Sequence, residues 1–274
     1  MWSLEHRLQV HTLHGHHGEI YALEFSSDGN TMLSASGDRT VRLWNVIHLD
    51  ADDSDAIESS CRVLTVNESA KPDVAFTSVS ISQDSRYVAA GSLDGVIRVW
   101  DLTAVPNDGT ELEGAKLVDR LSGHERSVYS VKFVHGLNPR SKGEALVSGS
   151  LDKTVKRWNV GPFDDDYTMR VGSPELEGHG ENGSNCVKTF RGHKVRNSFW
   201  SRQLSLGISS VLYQDYVLAT AVVKEGQSCR VASASKDGTV RMWDLRTGMV
   251  QFLIQGHKNT GTAAGFSKMW NFGT

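Results

Sequence analysis

The stretch SASGDRTVRLWN, Ser34 to Asn45, decides the fold, because nearly the same line occurs three more times in the chain. It consists of small residues, a turn that carries an aspartate, and then a tryptophan. The other copies are AAGSLDGVIRVWD (89–101), SGSLDKTVKRWN (148–159) and SASKDGTVRMWD (233–244). In every copy the tryptophan follows the aspartate by six residues: Asp38 and Trp44, Asp94 and Trp100, Asp152 and Trp158, Asp237 and Trp243. Four copies at one spacing indicate a repeat protein.

Composition narrows the classes of function. The 274 residues include 39% hydrophobic residues, enough for a sizeable core, and the net charge is only −3, so we expect no direct contact with nucleic acid. The cysteines Cys61, Cys186 and Cys229 are odd in number and far apart, which favours a reducing compartment over a disulfide framework. The chain has no apolar run of the length of a signal peptide or a membrane span. The sequence therefore predicts a soluble intracellular protein without membrane contact.

Short alternating segments surround each copy. IYALEF (20–25), TVRLW (40–44) and VYSVKF (128–133) have the period-2 pattern of strands, and turn residues separate them. Gly-His pairs precede three of the copies, at His16, His124 and His193, and another follows at His257. Evenly spaced short strands with Gly-His and Trp-Asp landmarks are typical of propeller blades. The chain is identified as a WD-repeat sequence, which implies an all-β propeller of four-stranded antiparallel blades.

The resemblance to WD repeats implies a structural role for the recurring polar residues. In that family a His, a Ser or Thr, an Asp and the Trp indole form a hydrogen-bonded chain. Three copies have the full set: His16, Ser34, Asp38 and Trp44; His124, Ser148, Asp152 and Trp158; His193, Ser233, Asp237 and Trp243. The second copy keeps Asp94 and Trp100 but lacks Gly-His and has Ala90 in place of the serine. Joint loss of His and Ser is expected of a buried network, where a stranded donor costs about 1–3 kcal/mol.

The recurring polar residues also permit chemical interpretations. A Ser, a His and an Asp brought together also suit a hydrolase triad, but a triad needs one exposed nucleophile, and this set recurs three times. We therefore expect no catalytic residue, no cofactor and no small-molecule substrate. The cluster His11, His14, His16 and His17 suggests a metal site, yet no carboxylate or thiolate has matching spacing, so we expect no metal.

The register of the repeats predicts a single, partial propeller over 1–259, followed by an irregular tail at 260–274. The repeats lie near 11–46, 61–102, 117–160 and 186–245, so that about four blades and the start of another are present. Residues 195–214 interrupt the fourth repeat. They begin with a Val, whose codons start with GT, and end with a Gln that CAG can encode, so they are either a retained intron or a long surface loop. We expect a fragment or an imperfect gene model, with exposed blade faces that favour self-association.

A narrower resemblance is to the fungal Tup-type, Groucho-like transcriptional co-repressors. The stretches GHHGEIYALEFSSDGNTMLSASGDRTVRLWNV, VAAGSLDGVIRVWDL, LVSGSLDKTVKRWNV, DYVLATAV and QFLIQGHKN look like the third to sixth repeats and the start of the seventh. A copy without Gly-His in second place and a polar insert at 161–185 follow the same order. The first two repeats, most of the seventh and the N-terminal helical segment of that family are missing. A substrate adaptor of a ubiquitin ligase and a G-protein-β-like signalling scaffold are the alternatives.

The co-repressor resemblance implies partners and a location. Propeller faces in that family dock DNA-bound repressors, contact histone tails and work with a TPR-repeat co-repressor subunit in the nucleus, the cytoplasm being the alternative. Positions five residues after the Gly-His histidine are the predicted partner-binding residues: Tyr21, Tyr129 and, by alignment, Thr77 and Leu218. Two acidic runs could attract basic tails, although such runs are more often solvated loops: Asp50, Asp52, Asp53, Asp55 and Glu58, and residues 164–166.

Overall fold

Strands account for all the regular secondary structure in the part of the chain that the computed structural model describes. That part comprises residues 2–3, 5, 7–9, 11–46, 61–66, 74–103, 115–134, 144–160, 186–193, 216–225 and 228–256. A two-stranded ribbon of β1 (Trp2–Ser3) and β2 (Leu8–Gln9) comes first. Sixteen strands in four sheets follow it.

Each sheet contains four antiparallel strands in chain order, and we call these sheets blades 1 to 4. Blade 1 consists of β3 (Ile20–Phe25), β4 (Thr31–Ser36), β5 (Val41–Asn45) and β6 (Arg62–Leu64). Blade 2 consists of β7 (Phe76–Ile81), β8 (Tyr87–Ser92), β9 (Ile97–Asp101) and β10 (Lys116–Leu121). Blade 3 consists of β11 (Val128–Val134), β12 (Glu144–Ser150), β13 (Thr154–Val160) and β14 (Cys186–Arg191). Blade 4 consists of β15 (Val217–Glu225), β16 (Ser228–Ser235), β17 (Thr239–Asp244) and β18 (Val250–Gln255).

The predicted all-β fold of four-stranded antiparallel blades is confirmed. A tight turn joins the second strand to the third in every blade, and such turns make consecutive strands antiparallel neighbours. The fourth predicted repeat begins at residue 186, where the chain forms β14, the outer strand of blade 3. Three predicted features lie outside the described residues: the polar insert 161–185, the insert 195–214 and the tail 260–274.

Blades stack because each strand places alternate residues on opposite faces of its sheet. We call the side of a blade that carries its tryptophan the Trp face, and the other side the counterface. At the junction of blades 2 and 3, Ile97 and Val99 of the blade 2 counterface pack against Val131, Phe133 and Trp158 of the blade 3 Trp face. Blades 1 and 2, and blades 3 and 4, meet in the same order. The core is therefore a series of layers between neighbouring blades.

Two of these junctions require glycine. A Cβ atom on Gly149 would lie 2.7 Å from Cγ1 of Val217, and one on Gly91 would lie 2.7 Å from Cγ1 of Val128. Real side chains do not approach so closely, so a larger residue at either position would push the next blade away.

The four first strands of the blades converge. Contacts join β3 to β7, β7 to β11, and β11 to β15. Lys132 of blade 3 forms an ion pair with Glu24 of blade 1, and the Ser80 hydroxyl of blade 2 donates to the same carboxylate at 3.0 Å. One carboxylate thus links three blades, which places these strands innermost in a radial arrangement.

Candidate functional site

A chain of hydrogen bonds crosses blade 3 from its tryptophan to its turn aspartate. Trp158 Nε1–H donates to Ser148 Oγ at 2.7 Å, and this oxygen lies 2.6 Å from His124 Nε2. His124 Nδ1 lies 2.6 Å from Asp152 Oδ2. A neutral ring that carries its proton on Nδ1 matches these partners, because Nε2 can then accept from the Ser148 hydroxyl. Every donor in this series of hydrogen bonds has an acceptor.

The same chain is present in blades 1 and 4. In blade 1 the Trp44–Ser34, Ser34–His16 and His16–Asp38 distances are 2.9, 2.7 and 2.7 Å. In blade 4 the Trp243–Ser233, Ser233–His193 and His193–Asp237 distances are 2.8, 2.8 and 2.9 Å. The structure therefore brings each predicted set together within its own blade.

The turn aspartate is the acceptor on which the network converges. In blade 3, Asp152 Oδ1 accepts from the Thr154 backbone N–H and hydroxyl, at 2.9 and 2.5 Å. Burial alone raises the pKa of Asp152, but the hydrogen bond from His124 and those from Thr154 hold it well below its usual range. Burial lowers the pKa of His124, against the opposing effect of Asp152. The pair therefore consists of a carboxylate and a neutral imidazole at neutral pH.

The glycine before each histidine has a packing reason that the sequence did not reveal. A Cβ atom on Gly123 would lie 3.3 Å from Cη2 of Trp158, and Gly123 has a φ of +149°. A Cβ atom on Gly192 would lie 3.0 Å from Cη2 of Trp243. Only glycine lets the chain pass so close to the indole edge while the following histidine turns towards the serine.

Blade 2 satisfies its aspartate in a different way. Arg98, only 1% exposed, donates to Asp94 Oδ2 at 2.7 Å and to Oδ1 at 3.2 Å. Burial alone raises the pKa of Asp94, but hydrogen bonds from Arg98 and from the Val96 N–H lower it below its ordinary value. Ala90 and Val96 stand where the other blades have serine and threonine. A buried guanidinium thus supplies the hydrogen bonds that the histidine and the threonine give to the turn aspartate in the other blades, and sequence reasoning missed this residue.

The geometry of the hydrogen-bonded network suits a structural role in the blade better than nucleophilic catalysis. Ser148 and Ser233 are fully buried and Ser34 is 1% exposed. Each hydroxyl oxygen already accepts a hydrogen bond from an indole N–H, as described above. A substrate carbonyl could not reach these oxygens without displacing the residues that bury them. The hydrogen-bonded network therefore fixes the strand, the turn and the tryptophan of a blade relative to one another.

The four predicted partner-binding residues occupy one equivalent position. In each innermost strand the pairing register shifts by one residue near the start of the strand: between Ile20 and Ala22, Phe76 and Ser78, Val128 and Ser130, and Val217 and Ala219. The extra residues of these four bulges are Tyr21, Thr77, Tyr129 and Leu218. Bulges re-aim a side chain out of the ladder and are common beside functional sites. We call these four the rim positions.

The rim positions differ in exposure. Tyr21 is 53% exposed and Tyr129 is 37% exposed, whereas Leu218 is half-buried. Thr77 is buried, and its hydroxyl donates to the backbone carbonyls of Gly91, at 3.1 Å, and of Val128. The two tyrosines therefore offer the accessible surface at this edge, and Thr77 holds blade 2 to blade 3.

Other predicted contacts fall outside this edge or outside the described residues. Both acidic runs, at 50–58 and 164–166, lie in parts of the chain that the structure does not describe. Within the described ranges, no group of three or more His, Cys, Asp or Glu side chains is arranged to hold a metal ion. No helix there has the length and apolar character to cross a bilayer.

Comparison with known proteins matches the repeats seen in the structure. A family model for the WD domain, G-beta repeat, matches residues 7–45, 61–101, 115–159 and 213–244. The solved structures of the RRP9 WD40 repeats and of U3-55K each superpose with a TM-score of 0.57 at 20% identity. They cover 90% of this chain, and this chain covers 54% and 55% of them. At that identity the likeness concerns the fold.

Curated relatives come from several functional classes. The chain is 26% identical to Mitochondrial division protein 1 of Mycosarcoma maydis, over 98% of this chain and 34% of the relative. It is 25% identical to Apoptotic protease-activating factor 1 of Mus musculus, over 95% of this chain and 18% of the relative. It is 27% identical to Guanine nucleotide-binding protein subunit beta of Zea mays, over 86% of this chain and 58% of the relative. This chain thus spans less than two thirds of each, and none of the three is a co-repressor by name.

Proposed function

The chain belongs to the WD-domain, G-beta repeat family, and on this basis we propose that it is a protein-interaction scaffold of the transcriptional co-repressor type. In this proposal a DNA-bound repressor docks at the rim positions in the nucleus. Histone tails and a TPR-repeat subunit are further partners that the co-repressor resemblance implies. The observation that carries the proposal is the alignment of four bulge residues at one edge of the blades, with Tyr21 and Tyr129 exposed.

Physical reasoning supports docking at this edge. A tyrosine offers a large apolar ring with one polar atom and loses little conformational entropy, which is why such residues act as binding hot spots. The bulges fix the backbone beneath both tyrosines, so part of the ordering cost of binding is met before a partner arrives. The buried networks behind them keep the blades rigid, which suits a platform.

A G-protein-β-like signalling scaffold is the second candidate. The maize G-protein β subunit aligns with 86% of this chain, a specific likeness that the co-repressor proposal does not explain. The two candidates differ in the class of partner, since one requires sequence-specific DNA-binding proteins and the other requires signalling proteins.

An interaction screen with the full chain as bait tests the proposal. We expect sequence-specific DNA-binding proteins among its partners, and we expect the double variant Tyr21→Ala, Tyr129→Ala to bind them about 30-fold more weakly, as for a hot spot of about 2 kcal/mol. The matched control is Met249→Ala, which removes a side chain that is 72% exposed at the opposite edge of blade 4. Affinities are measured by calorimetry with purified partners.

Two outcomes would overturn the proposal. Partners drawn only from signalling proteins would favour the second candidate. DNA-binding partners whose affinity responds equally to the control and to the double variant would place docking elsewhere than at the rim positions.

A further inference from the structure

One position in each innermost strand lies three residues after the rim position. The pairing of the first strands with the second strands shows that these four residues are equivalent: Glu24, Ser80, Lys132 and Ala221. Three residues of strand separate this level from the rim by roughly 10 Å. Blades 1 and 3 thus hold opposite charges at one level, on the same strands that carry the exposed rim residues Tyr21 and Tyr129.

These opposite charges meet across blade 2. Lys132 forms an ion pair with Glu24 Oε2, and the Ser80 hydroxyl donates to Glu24 Oε1 at 3.0 Å. The same hydroxyl oxygen accepts from the Phe133 backbone N–H at 3.1 Å. The Glu24 side chain is 18% exposed and Ser80 is 1% exposed, so water and salt screen this contact less than a pair on the open surface.

The ion pair joins two blades that are not neighbours. Layers of apolar side chains hold blade 1 to blade 2 and blade 2 to blade 3. A small tilt at each of these two layers adds up between blades 1 and 3, and this summed tilt changes the separation of Tyr21 and Tyr129. A direct contact between β3 and β11 opposes it.

We propose that Glu24 and Lys132 are positioning residues that fix the separation of Tyr21 and Tyr129. This inference rests on the proposed docking at the rim positions and adds the kind of partner that docks there. The partner presents two apolar or aromatic anchors at one fixed spacing, one for each tyrosine. Such a partner gains affinity because both contacts form without any adjustment of the blades.

Pulsed electron spin resonance on the full chain measures the separation directly. Tyr21 and Tyr129 are each replaced by a ketone-bearing phenylalanine analogue that takes a nitroxide label, which leaves the three native thiols unlabelled. We expect a narrow distribution of distances in the otherwise unchanged chain and a broader one with Lys132→Met. The charge-exchanged double variant Glu24→Lys, Lys132→Glu should restore the narrow distribution, and a general loss of stability would not be reversed in this way.

Arg86→Met is the matched control. It breaks an ion pair with Asp101 at 2.9 Å, and the Arg86 side chain is 43% exposed, against 40% for Lys132. Arg86 directly precedes β8 and Asp101 ends β9, so this pair lies within blade 2 and links no other blade. The distance distribution should therefore stay narrow.

Calorimetry with a partner recovered in the interaction screen gives a second readout. Lys132→Met should weaken binding about 10-fold, and the charge-exchanged variant should recover the affinity. In the Tyr21→Ala background only one anchor remains, so the spacing no longer matters and Lys132→Met should have no further effect on binding.

The two readouts separate this inference from the proposed function. A narrow distribution with Lys132→Met, equal broadening with Arg86→Met, or a charge-exchanged variant that stays broad would overturn the positioning role, whatever binds at the rim. The same loss of affinity in the Tyr21→Ala background would also overturn it. Distances that respond as expected, with no partner sensitive to the rim tyrosines, would support the positioning role and contradict the proposed docking.

Discussion

Replacement of Ser148 by alanine tests whether the hydrogen-bonded network stabilises a blade. The hydroxyl is fully buried, accepts from Trp158 at 2.7 Å and lies 2.6 Å from His124 Nε2. Alanine fills almost the same space, so Ser148→Ala removes the hydrogen bonds with little change in packing. Water cannot replace the hydroxyl, because the site lies between two blades.

The loss of stability in Ser148→Ala can be estimated from the two groups that lose their hydrogen-bond partner. The indole N–H of Trp158 and Nε2 of His124 would both be left buried without a hydrogen bond. Each such group costs about 1–3 kcal/mol, so the free energy of unfolding should fall by about 2–6 kcal/mol. That is a large part of the 5–15 kcal/mol typical of a folded domain, and the urea midpoint should fall clearly.

Urea unfolding, followed by tryptophan fluorescence and by circular dichroism, measures the effect. The matched control is Ser27→Ala, which removes an exposed hydroxyl that donates to the Gln83 carbonyl at 2.9 Å and should change stability by less than about 0.5 kcal/mol. The double variant Ser148→Ala, Trp158→Phe should cost less than the sum of its single changes, since phenylalanine leaves no stranded donor. A loss for Ser148→Ala as small as that for Ser27→Ala, together with additive single changes, would refute the reasoning.

Two further predictions concern charge. Arg98→Met leaves the buried carboxylate of Asp94 without its cation, and the free energy of unfolding should fall by about 3–5 kcal/mol in urea titrations, whereas a change below about 1 kcal/mol would contradict the substitution of guanidinium for histidine in blade 2. Stability should also fall with acid in two stages. Burial lowers the pKa of His124 below its ordinary 6.5, so the unfolded chain binds a proton first and stability declines as pH drops below about 6.5. Burial raises the pKa of Asp237 but hydrogen bonds from His193 and Thr239 lower it from 3.8 to about 2, so a second loss follows below pH 3.8. Thermal melts from pH 8 to pH 2 measure both stages, and a melting temperature that rises between pH 6.5 and pH 5 would contradict the first.

The local sequence was sufficient to predict the strands and turns of the blades. The alternation in IYALEF places β3 at Ile20–Phe25, and VYSVKF matches β11 at Val128–Val134 within one residue. Both the strand period and the tight Asp turns are properties of a few neighbouring residues, so they can be read without the rest of the molecule. The sets of His, Ser, Asp and Trp are equally visible, since they recur at fixed spacing.

The substitution in blade 2 could not be predicted in this way. The residue opposite the network serine, or opposite Ala90 in blade 2, is basic in every blade: Arg42, Arg98, Lys156 and Arg241. Only the side-chain geometry shows that Arg98 turns to its own turn aspartate while Lys156 donates to Thr189. A charged residue in a strand gives no local signal of which partner it will reach.

The sequence by itself determined the repeat, the strands, the turns and the members of each hydrogen-bonded chain, because these depend on spacing within about 45 residues. The tertiary structure alone decided which apolar residues are covered. Leu23 and Val131 look alike in sequence, yet one is 60% exposed and the other 1%, because burial depends on whether another blade packs against that face. It also showed that Thr77 is buried while Tyr21 and Tyr129 are accessible, since the exposure of a rim position is set by the neighbouring blade and not by its own strand.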